Sequence, residues 1–193
     1  SGVSVWGWDA STSTLPDELI RKAKESAGET ENLRHQMMLA SDRRAEALFA
    51  LAAEGMSMRR IADATGVSLS VVQRLLEKAK ASRPALERRE ERVSYELHRA
   101  VAEKVIEDPQ QVLSQARSNL QKMLARTRGA HAAGWIHEWE ALVSGDIPHL
   151  VEVMLRPDER SIDLRQMSPF AGVLTQGERW VGIHKAQKAA NAP

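Results

Sequence analysis

The chain contains no cysteine. Disulfides and thiolate metal sites are thereby excluded, and a reducing compartment suits it, so a cytoplasmic location is expected. No apolar run reaches the length of a membrane span, and no charged-then-apolar stretch reads as a signal segment. Net charge is +1 over 193 residues, which by itself says nothing for nucleic acid. There is no phosphate-cradling glycine loop and no serine nucleophile elbow. The histidines stand scattered at 35, 98, 131, 137, 149 and 184. His131, His137 and Glu138 match no zinc spacing, and His137-Glu138-Trp139-Glu140 lacks the second histidine one turn on. No metal, no cofactor and no enzymatic activity is therefore expected. No strand longer than a few residues is readable and no repeat is present, so the expected fold class is all-α.

The stretch from Ser57 to Lys78 carries the clearest pattern. Ser57 caps a short helix in which Ile61 and Ala62 share one face, and Thr65 closes it. Gly66 supplies the left-handed conformation that a tight helix-to-helix turn needs. Val67 points inward, and Ser68 is a natural N-cap for a second helix. Val72 and Leu75, three apart, continue the buried face and leave Leu69, Ser70, Gln73 and Arg74 outside. From Ser57 to Arg89 eight basic residues (Arg59, Arg60, Arg74, Lys78, Lys80, Arg83, Arg88, Arg89) stand against three acids. That local excess overlies the motif, where a phosphate-facing patch belongs.

The wording GMSMRRIADATGVSLSVVQRLL resembles the helix-turn-helix of bacterial repressors, site-specific recombinases and sigma-factor tails. Thr65 departs from the larger apolar residue usual at that place. The resemblance spans about residues 43–80. It implies an N-terminal helix-turn-helix domain whose second helix, 68–80, enters the major groove of double-stranded DNA. Leu69, Ser70, Gln73 and Arg74 then meet base edges: glutamine suits adenine, arginine guanine, and leucine the thymine methyl. Ser57, Arg59, Arg60, Ser68 and Lys78 hold phosphates and fix register.

The remaining chain reads as follows. Ser1-Gly2 is read as a scar of tag removal, and Val3, Val5, Trp6 and Trp8 as an extended arm docking on the body. Thr14 caps a helix from Leu15, with Leu19, Ile20 and Ala23 on its apolar side and Gly28 at its end. Thr30 caps a longer helix from Glu31 to Glu54, with Leu33, Met37, Ala40, Ala47, Leu48 and Leu51 as its stripe and Met37 and Met38 as core filler. Pro84 marks a domain boundary, giving domains 1–84 and 85–193.

Beyond the boundary, Val93, Leu97, Val101 and Val105 lie four apart along one helix, with Ala100 and Ile106 beside them. Asp108-Pro109 restarts the chain into a helix to Arg126. Further helices are read around Trp135 and Trp139, after the caps Asp146 and Asp158, and after a Thr175/Glu178 capping box. That last helix carries Trp180, Val181 and Ile183, Phe170 plugs the core, and the tail KAQKAANAP frays. Arg156, Arg160 and Arg165 are either a second DNA contact surface or surface charges near Asp158, Glu159 and Asp163. The C-terminal half is a compact multi-helix domain, and DLRQMSPFAGVLTQGERW resembles uncharacterised actinobacterial proteins without an attached activity.

The expected function is a sequence-specific regulator of transcription, most simply a repressor. The C-terminal domain then serves homodimerisation, a second DNA contact or a protein partner. An antitoxin-like protein that neutralises a toxin, a phage immunity repressor and a recombination or replication accessory protein are the alternatives.

Overall fold

A computed structural model describes residues 14–190. Among them are nine helices and no strand: Leu15–Ala53 (α1), Met58–Thr65 (α2), Leu69–Ala81 (α3), Arg89–Glu107 (α4), Pro109–Arg126 (α5), Ala130–Ser144 (α6), Ile147–Leu155 (α7), Glu159–Gln166 (α8) and Gln176–Ala190 (α9). The all-α expectation holds. The arm at residues 3–8 lies outside the described residues. The chain divides into two compact units, one ending at Arg44 and one beginning at Ala45.

In the first unit α1 does not stop at Gly28. Thr14 starts it as expected, its carbonyl accepting from the N–H groups of Asp17 and Glu18. Lys22–Glu18 and Arg21–Glu25 pairs then support the helix one turn apart. A mid-helix glycine costs only about 1 kcal/mol. Thr30 is not a cap: its hydroxyl donates back to the Ser26 carbonyl at 2.8 Å. Leu19, Ile20, Leu33 and Met37 are all exposed, and Met38 is 64% exposed, so neither methionine fills the core.

The second unit holds two hydrophobic clusters, which fall on either side of Pro84. The first joins Ala45, Leu48, Phe49 and Ala52 of α1 to Ile61 of α2 and to Val72, Leu75, Leu76 and Ala79 of α3. Burying a Leu or Phe side chain there contributes about 1.5–3 kcal/mol. The stripe of α1 is therefore offset from the one read in the sequence: Ala47 is exposed and Ala45, Phe49 and Ala52 are buried.

The second cluster is built around α4, which packs on α5, α7, α8 and α9. Tyr95, His98, Val101, Ala102 and Val105 are its buried side, while Ile106 is exposed. Trp139 lies fully buried and donates its indole N–H to the Leu164 carbonyl at 2.9 Å. Phe170 meets it edge-on at 5.4 Å, plugging the core as expected. Caps at Asp108, Asp146 and Asp158 and the reciprocal Thr175/Glu178 box all form.

Helix α9 differs from expectation. Trp180 is 57% exposed, and the buried residues are Gly182 and Ala186. A Cβ on Gly182 would sit 3.0 Å from the Leu97 Cδ2, so small residues let α9 approach α4 closely. The segment KAQKAA does not fray: Ala186 is buried and Ala189 packs on the first cluster.

Candidate nucleic-acid interface

Two short helices and a turn present the motif. Ser57 caps α2, its Oγ accepting the Arg60 N–H at 3.3 Å. Thr65 donates its hydroxyl to the Ile61 carbonyl at 2.6 Å, which explains how a threonine serves at the end of α2. Gly66 follows in the left-handed region at φ 68°. Ser68 has the extended backbone of an N-cap but makes no side-chain cap. Its Oγ lies 3.3 Å from the Ser70 hydroxyl instead. The expected Ser68 cap is thus corrected: the two hydroxyls satisfy each other.

Ile61 and Val72 are fully buried and Leu75 nearly so, and Val67 is half-buried. These anchors turn the opposite side of α3 outward. Leu69 is 44% exposed, and Ser70, Gln73 and Arg74 are exposed beside it. Gln73 donates an amide hydrogen to Glu77 at 3.2 Å, one turn further along. Ser57, Arg59, Arg60, Ser68 and Lys78 are also exposed. The residues read in the sequence as base and phosphate contacts therefore all reach solvent, on α2, α3 and the turn region.

One member of the basic patch does not. Arg83 has a side chain 4% exposed. It donates to both oxygens of Glu46 at 2.9 Å, to both oxygens of Glu96, and to the Ala79 carbonyl at 2.6 Å. All five of its N–H groups are used. The Phe49 ring lies 4.1 Å beneath the guanidinium. Arg99 and Lys185 add charge on Glu46 at 3.0 and 3.5 Å. Burial pushes the Glu46 carboxyl up, but the Arg83 hydrogen bonds and the charges of Arg99, Arg83 and Lys185 together hold it below its ordinary value. For Arg83 burial is again the largest influence and lowers the pKa, yet Glu46 and Glu96 outweigh it and raise the group. The network ties α1 and the end of α3 to α4 and α9. Its partners lie 37 and 13 residues from Arg83, so no local pattern announced it.

The supposed second surface is also altered. Arg165 is 3% exposed and donates to the carbonyls of Met154 and Arg156. Arg156 pairs with Glu152 and also feels the charge of Asp158, and Arg160 pairs with Glu138. Of the tryptophan pair, Trp139 is core, while Trp135 is half-buried under the Arg160 guanidinium at 5.4 Å.

A family profile described as a homeodomain-like domain matches residues 38–86. Residues 38–86 are a homeodomain-like helix-turn-helix domain. No curated protein and no solved structure matches the chain. A homeodomain-like domain implies DNA binding, and the match places α2, α3 and Arg83 inside it. No helix among the described residues is long and apolar enough to cross a membrane.

Proposed function

We propose that the protein is a sequence-specific regulator of transcription, acting as a repressor, that reads the major groove of double-stranded DNA with α3. The observation that carries this reading is the outward face of α3. Four exposed side chains of complementary reading chemistry stand on a helix whose other side is anchored in a closed core. Arg74 takes both acceptors of a guanine. Gln73 keeps one amide hydrogen and its carbonyl for adenine while the other hydrogen stays on Glu77, so Glu77 sets the amide orientation before DNA arrives. Ser57 accepts from Arg60 but retains its own hydroxyl hydrogen for a phosphate. Arg59, Arg60, Ser68 and Lys78 complete the backbone contacts. No catalytic role is assigned.

The second copy of the chain is the partner this reading favours. One module of this kind buries roughly 600–1,000 Å², too little to find a single site in a genome. The other source of contact, the arginines of α7 and α8, has its charge answered by Glu152 and Glu138 or buried with Arg165.

The deciding experiment is selection of bound duplexes from a random pool at about 150 mM salt, with the full chain and its Arg74→Ala variant in parallel. The full chain should enrich a motif, and the variant should lose preference at one guanine position by about 1–3 kcal/mol. Unaltered preference in the variant would overturn the placement of α3. Absence of enrichment would overturn the function.

A further inference from the structure

From Leu15 to Ala40 every residue of α1 is helical and every one is exposed. Most helices in proteins owe their stability to a packed apolar face. This stretch has none among the described residues, and it carries Gly28 in its middle. Leu19, Ile20, Leu33 and Met37 are each more than half exposed.

The apolar and small side chains are nonetheless ordered. Leu19, Ser26, Leu33 and Ala40 stand seven apart, and Ala23, Thr30 and Met37 form a second row between them. The two rows alternate at spacings of four and three, which is the seam pattern of a paired coil. Neither row holds a charged residue, and Gly28 falls on the opposite side of the helix. Thr30 spends its hydroxyl hydrogen on the Ser26 carbonyl of its own helix, so it asks for no donor partner across the seam. Glu29 and Arg34 flank the rows on either side, five residues apart. In two such helices laid parallel and in register, Glu29 of each copy faces Arg34 of the other, twice by symmetry. The contact of Arg34 with Glu31 in its own helix is loose, at 3.9 Å. The antiparallel pair that keeps Leu19 to Met37 in contact instead sets Glu29 against Glu29. The segment 15–44 is about 45 Å long. A strip of that length, one helix wide on each copy, amounts to roughly 1,000 Å² in all, the size at which specific interfaces begin.

We propose that the first part of α1 is the surface through which two copies of this chain pair, as a parallel, in-register coil from Leu19 to Ala40. The inference deepens the proposed function and rests on it for its purpose. The last turns of α1 belong to the cluster that anchors α3, so a pair along α1 carries two copies of the reading helix. The pairing itself is measured without DNA.

The test is sedimentation equilibrium of the full chain from about 1 to 100 µM, where mass action sets the population of pairs. The average mass should rise toward twice that of one chain. Leu33→Glu with Met37→Glu places like charges across the seam and should hold the chain monomeric throughout. Neither side chain belongs to the two hydrophobic clusters, so cooperative unfolding should be retained. Glu29→Arg should weaken association at least fivefold, and Glu29→Arg with Arg34→Glu should restore it. Because the chain has no cysteine, Ala40→Cys supplies a single thiol. The parallel register brings it against its copy, and oxidation should then link two chains covalently, whereas an antiparallel pair holds the two thiols far apart. The proposal is overturned if the chain stays monomeric, if the double-glutamate variant associates as the parent does, if the charge exchange fails to rescue, or if no cross-link forms. A monomer that still enriches a DNA motif overturns the pairing and leaves the proposed function standing. A dimer that passes these tests without DNA enrichment upholds the pairing and overturns that function.

Discussion

Removing the Arg83 guanidinium would strand two carboxylates, one of them on a side chain 2% exposed. Glu46 would keep Arg99 and Lys185, but Glu96 has no other ion-pair partner among the described residues. Breaking a buried pair from one side costs roughly 3–5 kcal/mol, so Arg83→Met should lower the urea-unfolding free energy by about that amount. Arg83→Met combined with Glu46→Leu and Glu96→Leu should recover most of the loss, because no charge is then left unpaired. Equal stability of Arg83→Met and the parent would show that the network is idle. Two acid-sensitive groups give the stability a further signature. Burial, the largest influence, lowers the His98 pKa from 6.5 to about 4, over the opposing Ser94 hydrogen bond. The unfolded chain therefore takes up a proton that the folded chain refuses. Stability from this source is complete above pH 6.5 and is lost as pH falls toward 4, about 3 kcal/mol in all. Glu46 acts lower: its depressed pKa adds stability above 4.5 that vanishes only as pH drops below that value. Unfolding measured from pH 7 to 4 should show the first decline, and His98→Gln should flatten it.

The turn between α2 and α3 is decided by Gly66. A side chain at φ 68° meets the steric cost of the left-handed region, so Gly66→Ala should destabilise the domain by about 1–2 kcal/mol in thermal unfolding. No neighbour lies within 4 Å of the added Cβ, so the loss would be one of backbone conformation and not of packing. Elements of this kind were legible in the sequence because their determinants are local: a cap, a glycine, and apolar residues three apart. The same holds for the aspartate caps of α5, α7 and α8 and for the Thr175/Glu178 box. What was illegible depended on distant partners. Gly28 resembles a stop signal, yet the flanking residues carry the helix through it. Trp180 looks like an anchor, yet the close approach of α4 selects Gly182 and Ala186 for the buried side. Arg83 counts as surface charge until Glu46 and Glu96, far along the chain, are placed against it. The outward face of α3 was readable from periodicity alone, whereas the tether of Gln73 to Glu77 needed side-chain geometry.

For the whole molecule, the proposed function raises the question of how α3 alone would select a specific site. The Arg83 network fastens the end of α3 to α4 and α9, so α3 is tied to the C-terminal helices of the second unit. Under the proposed function, two chains paired by a two-fold axis would present two copies of α3 to equivalent faces of the DNA groove. The selected site should then be a palindrome with half-sites about 34–36 Å apart, or a multiple of that spacing. Light scattering should report two chains per duplex. A single chain using a second basic surface makes a different forecast: an asymmetric site, shortened when Arg156 and Arg160 are replaced by alanine. Because those two arginines already face Glu152 and Glu138, the double variant should leave the selected site and its length unchanged. Phosphate contacts separate from base contacts in the same assay. Arg60→Ala should weaken all duplexes alike and reduce the salt slope by about one for each copy bound, whereas Gln73→Ala should keep the slope and relax one base position in each half-site. An asymmetric footprint with one chain per duplex would overturn the paired arrangement while leaving the reading helix in place.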